Sequence, residues 1–208
     1  MRLSDLAVQR MLNALDESLG AGVGATHLSL HSAYSATGTN ELTGGTPTYA
    51  RKPATWAAAS GRTKATSASA VFDVPAAATV RFVGMWDALT AGNFLGMVPN
   101  GGGIPEGFAV NAAGVTSNVL DAPAHGFSNG NTVVVWAIPG VSLPTTLAEG
   151  TVYYVIGATT DTLQLSLTLG GAAIDITAVG AGFLQRLVEE VFGAQGTHTV
   201  TTATMAID

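Results

Sequence analysis

The sequence predicts a mainly β protein, and three observations carry that prediction. Apolar and polar residues alternate over short runs, as in residues 79–87, where Val80, Phe82, Gly84 and Trp86 interleave with Arg81, Val83, Met85 and Asp87. Turn residues recur at close spacing, with 26 Gly and 8 Pro dividing these runs into segments of strand length. A helical period shows only near the N-terminus. The expected architecture is a β-sandwich with a short N-terminal helix, plus an inserted small β module of barrel-like or sandwich form.

The elements follow in order. Ser4 is placed to cap a helix of about 15 residues whose apolar positions are Leu6, Met11, Leu12, Leu15 and Leu19, with Asp5 near its favourable end and Gly20, Gly22 and Gly24 ending it. A helix that short is marginal alone, so its apolar face should dock on the sheet. Residues 27–33 read as a strand with Leu28 and Leu30 inward and His27, Ser29 and His31 toward solvent or a neighbouring subunit. Residues 35–47 form a loop turned by Gly44-Gly45, and strands are expected at 49–56, 67–74, 79–87 and 93–98. The run Pro99-Asn100-Gly101-Gly102-Gly103 breaks the chain.

From about Phe108 the strands become shorter and more regularly spaced. They are expected at 115–120, 132–137, 151–156, 162–168, 173–177 and 183–187, with 151–168 the clearest hairpin. After Arg186 the pattern of the N-terminal half resumes in a Thr-rich alternating segment, 197–207, which must pair with strands that precede Gly103. The domains are therefore expected at 1–106 with 188–208, and at 107–187 as an insertion in the first.

Charged residues make up 11% of the chain, against about 25% in an ordinary soluble domain. So uncharged a surface is best understood if much of it is buried against other subunits, which makes the chain itself an expected partner. The net charge of -6 discourages binding to nucleic acid and to anionic membrane. There is no Cys, which excludes disulfides and thiolate metal sites. The mean hydropathy of +0.37 comes from Ala and Val, and no run of about 18 apolar residues exists to cross a membrane. The first twelve residues lack the uninterrupted apolar stretch of a secretory signal.

No constellation of catalytic residues emerges. His27 and His31 are four apart, but on a strand their Cα atoms lie roughly 13 Å apart, too far to share one metal ion. Arg51-Lys52, the only basic doublet, reads as a solvated strand end. Asp87 reads as the start of a turn into residues 88–92. Glu189 and Glu190 are adjacent and face opposite ways in an extended chain, while Asp16 and Glu17 close a helix. His125, with Asp121 upstream and Ser128 downstream, permits a Ser/His/Asp set to be drawn, yet no serine sits in a Gly-x-Ser-x-Gly elbow. The glycines at 101–103 suit a hinge better than a nucleotide loop. Catalytic, cofactor-binding and metal-ligating residues are all expected to be none.

Two stretches carry a family likeness. Leu30-His31-Ser32-Ala33, Gly44-Gly45, Tyr49-Ala50-Arg51 and Gly84-Met85-Trp86-Asp87, in that order, resemble the strand and loop motifs of the tail-fibre and minor tail proteins of long-tailed bacteriophages. The middle segment, AHGFSNGNTVVVWA with LAEGTVYYVIGATTDTLQLSLTLGGAAI, resembles a β module that recurs as an insertion in phage virion proteins. The resemblance implies a non-enzymatic component of the virion, assembled in the bacterial host cytoplasm, with other virion proteins and itself as partners. Its alternatives are a capsid decoration protein and a module that recognises a host-surface glycan through loops such as 139–147. The absence of collagen-like or coiled-coil repeats argues against a fibre shaft.

Overall fold

The computed structural model describes residues 4–14, 24–103 and 105–206. Two compact units are present, one formed by Met1–Val98 with Glu190–Asp208 and the other by Pro99–Glu189. In chain order the first carries helix α1 (Asp5–Ala14) and strands β1 (His27–His31), β2 (Lys52–Pro53), β3 (Thr63–Ala65), β4 (Ala70–Val74), β5 (Ala78–Val80), β6 (Phe82–Trp86) and β7 (Phe94–Pro99). The second carries β8 (Glu106–Val110), α2 (Ala112–Ser117), β9 (Leu120–Asp121), β10 (Thr132–Ala137), β11 (Val152–Ile156), β12 (Thr162–Ser166) and β13 (Gly180–Leu187). The chain then returns to the first unit with β14 (Glu190–Phe192), β15 (Gly196–Val200) and β16 (Thr204–Ala206).

In the first unit a sheet of order β2-β1-β6-β7 packs against a two-stranded ribbon. The ribbon is residues 63–80 running antiparallel to 190–206, with β16 on β3, β15 on β4 and β14 on β5. The C-terminal strands thus pair with strands that precede Gly103, as the alternating pattern requires. Leu28 and Leu30 of β1 and Val83 and Met85 of β6 share one face of the sheet. They meet Phe72, Val74, Val80 and Val200 from the ribbon to form the core. Each fully buried side chain of this size stabilises the fold by about 1.5–3 kcal/mol.

Several expectations for this unit are corrected. The described helix spans ten residues, and Leu6 and Met11 on it are exposed while Leu12 is buried; Leu15 and Leu19 lie outside the described residues. The cap holds, with Ala7 N–H donating to Ser4 Oγ at 3.3 Å. Asn13 also ties the helix down, its Oδ1 accepting from Ala59 N and from Lys64 Nζ, each at 2.9 Å. In β1 the supposed outward residues Ser29 and His31 are fully buried. Of the strand expected at 49–56 only Lys52–Pro53 joins the sheet, and the run 79–87 divides into β5 and β6, which belong to different layers. Arg81 marks the division, its N–H donating to the carbonyl of His31.

The second unit is a closed barrel of six strands, β10-β11-β12-β9-β8-β13, filled by Phe108, Leu120, Val133, Val135, Tyr153, Val155, Leu163, Leu165 and Leu184. The expected hairpin is β11 with β12, pairing Val155 with Leu165. Two expected strands are absent. Residues 112–117 of the segment that precedes β9 are helical, because Asn111 caps the start through Gly114 N–H and Asn118, with φ 58, closes the end. Residues 173–177 are irregular, held by Ile174 N–H on Leu165 O and by the burial of Ile176.

Candidate functional site

The densest chemistry among the described residues lies behind the sheet of the first unit. The face of β1 and β6 turned away from the core carries Ser29, His31, Gly84 and Trp86, with Ser29 paired across to Gly84. Gly84 makes the site possible, since a Cβ there would stand 2.4 Å from Ser29 Oγ and 2.5 Å from His31 Nε2. Residues 34–41 fold over this face. Gly38, at φ +80, lies so close to the Trp86 ring that a Cβ would stand 2.5 Å from it. Phe94 closes the side with its ring centroid 5.1 Å from Trp86 and 6.0 Å from His31.

Hydrogen bonds in the site run in one direction. The Thr39 carbonyl only accepts, so His31 Nδ1 carries the proton and donates to it at 2.9 Å. His31 Nε2 therefore accepts from Ser29 Oγ at 2.7 Å, and Ser29 Oγ accepts from Trp86 Nε1 at 2.9 Å. Burial holds the His31 imidazole below its ordinary pKa, and the Arg51 charge acts the same way, against the Thr39 carbonyl and Glu41. A hydroxyl donating to an imidazole has the form of a nucleophile and its base. Here the serine is fully buried, its space is filled by the neighbouring strand, and the far side of the ring meets a carbonyl in place of a carboxylate.

Arg51 clamps the covering segments. Its guanidinium lies 3.5 Å over the Trp86 ring, makes a two-pronged pair with Glu41 at 2.8–3.2 Å, and donates to the carbonyls of Ala88 (3.1 Å) and Ala91 (2.7 Å). The Tyr49 hydroxyl accepts from Leu30 N–H at 2.7 Å and donates to Glu41 at 3.4 Å, and burial raises its pKa far above the ordinary phenol range. The expectation of a solvated Arg51-Lys52 doublet is thus half wrong. The Arg51 side chain is 10% exposed, while Lys52 stays near the surface, 3.5 Å from Asp73.

The remaining candidates are placed apart. His27 and His31 make separate contacts, His27 with Thr26 Oγ1, and no group of three or more His, Cys, Asp or Glu among the described residues could hold a metal. Asp87 begins its turn as expected, accepting from Asn93 N and Nδ2 at 2.7 Å each, and those two bonds hold its carboxyl below the usual range. His125 and Asp121 do not meet. His125 Nδ1 accepts from Phe127 N–H and its Nε2 donates to Thr162 O, while Asp121 accepts from Asn111 Nδ2. Glu190 pairs with His198, at 2.5 Å. Asp16 and Glu17 lie outside the described residues. The Gly44-Gly45 loop is pinned from within the chain by Gln195, which accepts from Thr46 N and donates to Pro47 O at 2.8 Å each. Sequence reasoning missed the Ser29–His31–Trp86 chain; a glycine at 84, inside a strand pattern, is the signal that could have revealed the close packing there.

These features define a β-rich scaffold whose concentrated polar chemistry is turned inward. Residues 2–100 match the family model described as podophage GP4 fiber I protein gp80, a match that covers just under half of the 208 residues. That part of the chain is similar to a phage fibre protein, and the match supports a structural protein of the phage tail-fibre type. No curated protein and no solved structure matches the chain.

Proposed function

We propose that this protein is a structural component of a bacteriophage particle, a minor tail or tail-fibre-type protein that makes contacts with other virion proteins and with copies of itself. The family match over residues 2–100 carries this reading. The inward-turned polar cluster supports it, because the strongest candidate for a catalytic pair is sealed inside the sheet. The strand motifs point to a long-tailed phage and the family description names a podophage; the reading commits to a place in the particle and not to a tail type. Assembly then takes place in the host cytoplasm.

Labelling of purified particles with an antibody against residues 107–187 tests the reading. Label at the tail is the expected result, with a copy number of a handful per particle. Label over the capsid faces would replace it with a decoration protein, binding of isolated host cells through loops such as 139–147 would favour a glycan-recognition module, and absence from particles would end the virion reading.

A further inference from the structure

The edges of the first unit are not alike. At one end of the four-stranded sheet β2 is only two residues long and consists of Lys52 and Pro53; at the other, β7 contains Gly96 at φ +147 and ends in Pro99. Short length, lysine, proline and broken geometry are the devices by which sheets discourage a further strand. In the ribbon strand made of β14, β15 and β16, the central β15 is five residues long, unbroken, and free of lysine and proline. Residues 191–206 contain no Asp, Glu, Lys, Arg or Pro, and Glu190 is the one charged residue of β14, whereas the strand run they pair with, 63–80, contains Lys64, Asp73 and Pro75. Among the described residues β15 pairs on one side only, with β4. Its outward side chains Thr197 and Thr199 are exposed, and Val191, on β14, is 72% exposed.

We infer that this C-terminal edge is a self-association surface, on which β15 of a second copy adds antiparallel to β15 of the first. Unpaired backbone N–H and C=O groups select a strand as occupant. A second copy fits because the edge is self-complementary. Two-fold antiparallel pairing sets a segment against itself, so any charged residue on it would face its like or a close neighbour. β15 carries no Asp, Glu, Lys or Arg to repel, and the buried His198 at its centre is paired with Glu190 of its own copy. In a register centred on His198, Thr197 of one copy stands across from Thr199 of the other, a favourable cross-strand pair. The premise of self-contact is shared with the proposed virion role, but the edge geometry stands without it.

The test is the size of the full chain in solution by sedimentation equilibrium, with hydrogen exchange to locate the contact. The expected result is concentration-dependent association in which amides of residues 196–200 become protected as it proceeds. The double variant Thr197→Lys/Thr199→Lys should then raise the dissociation constant by on the order of tenfold or more, through lysines brought opposite one another. If that variant fails to fold, exchange on the natural chain decides alone. A chain that remains monomeric at about 0.3 mM, well above the micromolar range of specific association, would overturn the inference, as would association that leaves residues 196–200 unprotected. A monomer found in purified particles would remove this inference and leave the virion role, and a self-associating protein absent from particles would do the reverse.

Discussion

The two units solve the same problem in opposite ways. The barrel of the second unit closes its sheet on itself, so its strands leave no edge and its interior is filled almost entirely by apolar side chains. The sheet of the first unit stays open and is buried on both faces, one against the apolar core and the other against a network of Ser29, His31, Trp86, Arg51 and Glu41. A closed barrel with an apolar interior adds buried area to its strand ladders. A two-sided sheet covered by loops must also tell those loops where to lie, and directional bonds to carbonyls 39, 88 and 91 do that.

The largest effect that separates the two is expected at Arg51. Arg51→Met keeps the apolar stem but leaves Glu41, 18% exposed, without its cationic partner and two carbonyls without their donor. The loss should be about 3–5 kcal/mol in denaturant unfolding, because a mostly buried carboxylate is left uncompensated. Leu163→Ala in the barrel, at a fully buried position, should cost about 2–5 kcal/mol by creating a cavity. The distinguishing observation is rescue: Arg51→Met with Glu41→Gln should recover part of the first loss, while no polar change should recover the second.

How much of this contrast the sequence shows depends on the range of the interactions. The barrel strands at 132–137 and 162–168 were legible because the first is a β-branched Val run set off by the Asn129-Gly130 turn and the second alternates Leu163 and Leu165 with Thr162 and Gln164, all of it local. The helix at 112–117 was not, since Val115 and Thr116 favour strands and the deciding features are the caps at Asn111 and Asn118. Ser29 and His31 looked outward for a physical reason. Their partners, Thr39 and Trp86, lie 8 and 57 residues away from their respective ends of the chain of bonds, and nothing near residue 29 signals that a loop will cover it. The Asp87 turn was readable, being closed by Asn93 six residues on.

Smaller changes probe the network itself. Ser29→Ala removes the acceptor of Trp86 Nε1–H and the donor to His31 in a fully buried place, so about 1–3 kcal/mol should be lost. Acidification acts on the same site. The folded pKa of His31 is depressed below the ordinary value of 6.5, so the unfolded chain takes up the proton first. The stabilisation from a neutral His31 is complete above pH of about 6.5 and declines as pH falls from there through the folded pKa. In His31→Gln the fall in unfolding midpoint across that window should be shallower than in the natural chain; equal slopes would show that the imidazole is not the group concerned.

The smallest effect is expected one residue from the largest. Lys52 follows Arg51 directly, carries the same charge and also faces an acid, Asp73, at 3.5 Å. Its side chain and that of Asp73 are 31% and 34% exposed, against 10% for Arg51. Water and salt screen such a pair, and fixing two mobile side chains offsets most of what remains. Lys52→Ala should therefore change stability by no more than about 0.5 kcal/mol, and the difference should vanish in molar salt. Arg51→Met should keep its full effect there, because the Glu41 pair is shielded by the Trp86 ring and the turn carbonyls. A salt response shared by both variants would mean that the Arg51 clamp is open to solvent, and the contrast between a doublet's buried and exposed members would fail.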